Sequence, residues 1–219
     1  MVAGSILPVA LHNDNLFFLF GKENELADTP GFSDFGGGME PGETPFKAAL
    51  REGSEELTGF LGNSKDLEQL IKKNGGFYKI LNKTYHAHLF LMDYDENLPK
   101  YYNANHRFLW ERMDKKMLDD TKMFEKIEIQ WFSVEQMKSR KSEFRQFYQD
   151  IVETILDDLP NIRLFMDSKH ADVLTRGRNV ALRSSEVVEP EYVTLVKYSD
   201  KKHKNKNSKK RRNTRKRGG

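Results

Sequence analysis

The stretch GGMEPGETPFKAALREGSEEL, residues 37–57, decides the reading of this chain. Thr44 is suited to cap a helix and Pro45 to fill its first position, and Phe46, Ala49 and Leu50 then give the helix an apolar side. Glu52, Glu55 and Glu56 follow at offsets of three and four, which brings their carboxylates onto one face, expected to lie away from that apolar side. Three carboxylates so close repel one another and require a cation. Oxygen-only donors favour a hard ion, Mg²⁺ or Mn²⁺, over zinc.

These residues also carry a family resemblance. The segment resembles the signature of Nudix hydrolases, G-x5-E-x7-R-E-U-x-E-E-x-G-U with U a bulky apolar residue. Gly37, Glu43, Arg51, Glu52, Glu55 and Glu56 fall in register. The departures are Gly53 and Gly59 at apolar positions and Thr58 at the glycine position. They bear on helix packing and termination before they bear on chemistry. Glycine inside a helix costs about 1 kcal/mol relative to alanine, and Gly59 is placed to supply a left-handed cap one residue late.

The resemblance implies an α/β (α+β) fold, a mixed β-sheet sandwiched between helices with the signature as a loop-helix-loop. It implies an enzyme that cleaves the pyrophosphate of a nucleoside diphosphate-linked substrate with Mg²⁺ or Mn²⁺. Glu52, Glu55 and Glu56 are then the catalytic metal ligands, Gly37 or Gly38 offers a main-chain carbonyl, and Glu43 with Arg51 holds the loop against the helix. One of Glu55, Glu56 or a later acid serves as general base. Glu125 and Glu128, near a strand ending at Trp131, are the candidates for a further carboxylate.

The flanking pattern agrees with this reading. Ser5–His12 and Leu16–Gly21 are apolar runs around a polar turn, the pattern of a β-hairpin. Residues 77–81 and 85–94 read as two more strands, the second carrying His86 and His88 on one face, where packing is the plain role. Ser133 is a good cap for a short helix, and Ser142 is expected to open a longer one with Phe144, Phe147, Ile151, Ile155 and Leu156 as its buried stripe. Pro160 interrupts it. The Nudix-like domain is thus expected over residues 1–166, with an irregular extension over 167–200, in which Tyr192–Tyr198 reads as a strand.

Charge sets off the C-terminus. Residues 201–219 hold 11 of the 36 Lys and Arg and none of the 33 Asp and Glu, so the preceding 200 residues carry 25 basic against 33 acidic groups, a net −8. With nothing apolar to bury, the tail is expected to be disordered. Its cluster Lys209, Lys210, Arg211, Arg212, Arg215, Lys216 and Arg217 suits RNA phosphates in a sequence-blind way, and equally suits a nuclear-targeting signal. If the tail meets RNA, the mRNA cap is the attractive substrate, and the chain is similar to Nudix proteins of large DNA viruses, some of which remove caps. The alternatives are small or oxidised nucleotides, diphosphoinositol polyphosphates, or an RNA-binding protein that keeps the fold without catalysis. The chain has no cysteine, which excludes disulfides and thiolate chemistry and fits an intracellular, cytoplasmic or nuclear protein. No apolar run is long enough to span a membrane.

Overall fold

The computed structural model describes residues 1–121 and 124–179. The chain opens with the expected hairpin, β1 (Ala3–His12) and β2 (Asn15–Glu23), paired antiparallel from Val9↔Phe18 to His12↔Asn15. Its two-residue turn places Asn13 and Asp14 at φ 48° and 60°, a left-handed geometry that Asn and Asp tolerate and that matches the twist of the strands.

β1 organises the sheet. Its first half pairs antiparallel with β4 (Phe35–Gly38), the glycine strand of the signature, and its other edge runs parallel to β6 (Tyr85–Leu91). β5 (Phe77–Asn82) lies outside β6, while β2 carries β7 (Lys126–Ser133) and the short β3 (Phe32–Ser33). Because successive side chains on a strand point to opposite faces, Ile6 and Ala10 enter one core and Leu7 and Val9 another. The first core lies under α1 (Pro45–Glu56), α2 (Ser64–Lys73) and α3 (Asn97–Trp110). The second takes Ile151, Val152 and Ile155 of α6 (Gln149–Asp157) and Ile162 and Met166 of α7 (Leu159–Asn179). The outlying α4 (Lys115–Thr121) contributes Leu118 to a small cluster with Trp110 and Phe124, and α5 (Val134–Ser139) is capped by Ser133 as expected.

Two expectations change. Ser142 does not begin a long helix: residues 141–143 and 146–148 form separate 3-10 turns, and the α-helix starts only at Gln149. Between the turns Phe144 is extended and makes a bridge to Phe32, with the Arg145 N–H donating to the Phe32 carbonyl at 3.0 Å. That pairing pulls the backbone out of helical geometry and leaves Phe147 half exposed instead of in the core. Nor does regular structure end at residue 166. Pro160 stands in the first turn of α7, where a missing N–H is harmless, so it starts a helix that continues to Asn179. The candidate strand Tyr192–Tyr198 and the basic tail lie outside the described residues.

The departures from the signature have packing reasons. A β-carbon on Gly53 would stand 2.5 Å from Ile6 Cδ1, so α1 can approach β1 this closely only with glycine there. At the helix end it is Thr58, at φ 48°, that takes the left-handed position expected of Gly59, and Gly59 follows at φ 75°. The Thr58 hydroxyl is tied to His106 Nε2 at 2.9 Å, which helps hold an unfavourable backbone angle. Gly53→Ala should therefore lower stability by about 1–2 kcal/mol in urea unfolding, because overpacking outweighs the helix-propensity gain. Equal or higher stability would show that the helix shifts freely.

Candidate active site

Thr44 caps α1 by accepting the Lys47 N–H, and Pro45 opens it, so the signature loop enters the helix at a defined angle. Arg51 then gathers the loop. Its guanidinium donates to both Glu43 oxygens at 2.9 and 3.1 Å, to Glu52 Oε1 at 2.8 Å and to the Gly38 carbonyl at 3.0 Å, with Glu55 at 3.6 Å. The second Glu43 oxygen also accepts the Glu40 N–H at 2.8 Å and closes the turn. Bidentate pairing of this kind fixes orientation as well as charge. Arg51 holds the Glu43 carboxyl below its ordinary range.

The three glutamates of α1 have different surroundings. Glu52 is packed on the Gly37 backbone: a β-carbon there would lie 2.5 Å from the Glu52 carboxyl carbon, so a side chain at position 37 would displace this carboxylate. Glu55 faces outward, its side chain 61% exposed, and partial desolvation together with Glu52 raises its pKa. Glu56 points inward, 6% exposed, on the buried side of the helix. The expectation that all three carboxylates lie away from the apolar side therefore fails at Glu56, one residue past Glu55 and thus about 100° round the helix.

Around Glu56 lies a buried charge cluster. Glu56 Oε2 accepts the Gly36 N–H at 2.8 Å and Oε1 lies 3.3 Å from Lys126 Nζ. Lys126, wholly buried, also reaches Glu23 Oε1 at 2.5 Å and Ser33 Oγ at 2.8 Å, and Arg145 meets the same Glu23 oxygen at 2.5 Å. Burial pushes the Glu56 carboxyl up to about 8, with the Lys126 ammonium opposing. For Lys126, burial works against the charge, but Glu56 and Glu23 outweigh it and raise its pKa. The Tyr102 hydroxyl joins three elements here, directed at the carbonyl oxygens of Glu56 (2.8 Å) and Lys126 (2.9 Å). Asp34, between β3 and β4, secures the glycine strand: it accepts from Ser5 Oγ at 2.5 Å and from the Tyr85 hydroxyl.

Of the later acids, Glu128 on β7 lies opposite Lys22 on β2 and pairs with it at 4.0 Å, and Glu125 is near enough that its charge adds to the rise at Glu56. His88 is buried between Phe46 and Phe77 with Nδ1 2.9 Å from the Ser5 carbonyl, the packing role expected of it. Among the described residues, no three His, Cys, Asp or Glu side chains converge closely enough to hold a metal ion. The donors fit a hard cation in part: Glu52 lies against Gly37 and shares Arg51 with Glu55, while both oxygens of Glu56 are engaged inside. Sequence reasoning missed Lys126, Glu23, Arg145, Tyr102 and Asp34. A lysine in a strand reads as solvent-facing, and nothing local signals that it is buried.

The family comparison agrees with this geometry. The model of the NUDIX domain matches residues 6–154, and the chain belongs to that family, whose members are pyrophosphohydrolases acting on nucleotide-type substrates. Among solved structures, a mutT/nudix family protein from Listeria innocua is similar at 13% identity and TM-score 0.41, covering 75% of this chain and 96% of its own. An Ap4A hydrolase from C. elegans, in a binary complex, is similar at 12% identity and TM-score 0.41, covering 73% and 97%. No curated protein matches the chain. No helix among the described residues is long and apolar enough to cross a membrane.

Asp34 generates a pH prediction. Burial raises its carboxyl from 3.8 to about 6, against the pull of its hydroxyl donors. The folded state therefore holds the proton more tightly than the unfolded one, and this contribution is complete below about pH 4 and lost as pH rises through about 6. At 1.36 kcal/mol per unit the loss is about 3 kcal/mol. Asp34→Asn should remove that fall, so the stability difference between wild type and variant should change across pH 4–7 in urea unfolding. A constant difference would refute the assignment.

Proposed function

We propose that the chain hydrolyses the pyrophosphate of a nucleoside diphosphate-linked substrate in a reaction dependent on Mg²⁺ or Mn²⁺. The observation that carries the reading is the arrangement of Glu52 against Gly37, with Arg51 joining Glu52 to Glu43, the Gly38 carbonyl and Glu55. Glu52, Glu55 and a carbonyl of Gly37 or Gly38 would hold the ion, which when bound neutralises pyrophosphate charge and acidifies a water. Arg51 keeps these donors in register, so that loop and helix present them together. Glu55, outward-facing with a raised pKa, is the signature carboxylate best exposed to take a proton from water, and Glu125 is the later acid whose charge bears on the same region.

Capped RNA is the substrate this reading favours. The 11 cations of residues 201–219 would hold a polyanion whose scissile pyrophosphate lies at its end. Small nucleotides are the alternative, and they have no need of the tail.

Glu55→Gln should leave the thermal midpoint unchanged and lower metal-dependent turnover by about 100-fold or more, the scale of losing a positioned acid–base group. Unchanged turnover would sink the role of Glu55. A chain ending at Asp200 should lose about tenfold or more in decapping at low salt, and most of the salt dependence, because the phosphate contacts are gone. Equal small-nucleotide hydrolysis by both forms, with no cleavage of capped RNA, would refute decapping.

A further inference from the structure

We propose that the outer face of α3, the stripe of Tyr101, Phe108 and Arg112, binds single-stranded RNA by stacking bases on its rings. The proposal rests on the capped-RNA reading above and adds the surface that would carry the strand beyond the cap.

The helix buries Tyr102, His106 and Trp110. Tyr101, Asn105 and Phe108 follow the offsets of four and three that keep to one side of a helix, here the side turned from the core. Tyr101 is 63% exposed and Phe108 56%, the two most exposed Phe, Tyr or Trp rings among the described residues. A lone exposed ring needs no explanation, but here each carries a cation. Lys100 Nζ lies 5.8 Å from the Tyr101 centroid, and Arg112, just past the helix end, lies over Phe108 with Cζ 3.8 Å from its centroid and Nη1 donating to its carbonyl at 2.9 Å. The rings stand about 10 Å apart along the axis, so they meet different bases. The planar Arg112 guanidinium is itself a stacking surface for a base.

Charge decides between an RNA strand and an apolar partner. Before residue 201 the chain carries 25 basic against 33 acidic groups, yet residues 97–112 hold Lys100, Arg107 and Arg112 against Glu111 alone. Glu111 pairs with Arg112 at 3.5 Å, while Lys100 and Arg107 are exposed and pair with no acid among the described residues. An apolar partner would have to desolvate these cations; a phosphodiester backbone neutralises them while its bases cover the rings. The acids Asp95 and Glu96 stand before the first helical residue, so the basic run begins one turn in. Residues 201–219 contain no Phe, Tyr or Trp, so the tail can hold phosphates but cannot stack bases, and α3 supplies what it lacks. The face is also fixed to the signature helix: the Tyr102 hydroxyl lies 2.8 Å from the Glu56 carbonyl, and His106 Nε2 lies 2.9 Å from the Thr58 hydroxyl.

Fluorescence anisotropy of a labelled oligouridine of about 12 nucleotides, with the full-length chain and without divalent metal, tests this apart from turnover. Tyr101→Ser with Phe108→Ser should weaken binding by about tenfold or more, the scale of losing stacked bases. Tyr101→Phe with Phe108→Tyr, which keeps both rings, should stay within about threefold of wild type. The serine pair should weaken binding of an RNA duplex of equal phosphate number by less than about threefold, since paired bases offer the rings no free face. Lys100→Gln with Arg107→Gln should lower the slope of log affinity against log salt by about 1.4, the value of two phosphate contacts on a single strand, and this pair decides should the serine pair fail to fold. Unchanged affinity in the folded serine pair would overturn the proposal, as would an equal loss on the duplex or an unchanged salt slope. A wild-type dimer, seen by sedimentation, that the serine pair dissociates would assign the face to a second copy and overturn it too. Cleavage of capped RNA by a chain whose serine pair binds oligouridine normally would uphold decapping and sink this surface; ring-dependent binding by a chain that cleaves no capped RNA would uphold the surface and sink decapping.

Discussion

The close seating of α1 on β1 is the constraint from which the rest of the site follows. With no side chain at Gly53, the helix comes down onto Ile6. At that depth its inner face carries Ala49 and Leu50 into the sheet-side core and takes Glu56 with them. One carboxylate is thereby committed to the interior while Glu52 and Glu55 stay at the loop. A bulkier residue at position 53 would lift the helix and loosen both arrangements at once.

Committing a carboxylate to the interior has an electrostatic consequence. A buried charge must be neutralised, and here β7 and β2, paired through Glu23↔Lys126, bring the compensating groups. Tyr102 then binds the carbonyls on both sides of the pair, so α3 braces α1 against β7. The site is thus two electrostatic systems back to back. Outside, Arg51 organises Glu43, Glu52 and Glu55; inside, Lys126 links Glu56 to Glu23, which Arg145 also holds.

Much of this is legible in the sequence. The hairpin around Asn13 and Asp14, the Thr44–Pro45 start of α1 and the Ser133 cap of α5 are local signals, and each is present because a turn or a cap depends on only a few neighbouring residues. Where the reading failed, a distant partner was involved. Phe144 leaves helical geometry because Phe32, over a hundred residues earlier, pairs with it. Gly53 and Thr58 look like defects in the signature until Ile6 and His106 are placed beside them. Pro160 reads as a stop but serves as a first-turn residue, because the helix it belongs to lies after it.

By itself the sequence determined the family, the order of the elements and the identity of the carboxylates and arginine on the signature helix. Residue type and spacing along one helix are enough for that, since helical geometry is periodic. The tertiary structure alone decided which carboxylate turns inward and what neutralises it. Glu55 and Glu56 are adjacent in sequence and chemically identical, and only the sheet on one side of α1 makes one of them a surface group and the other a buried partner of Lys126.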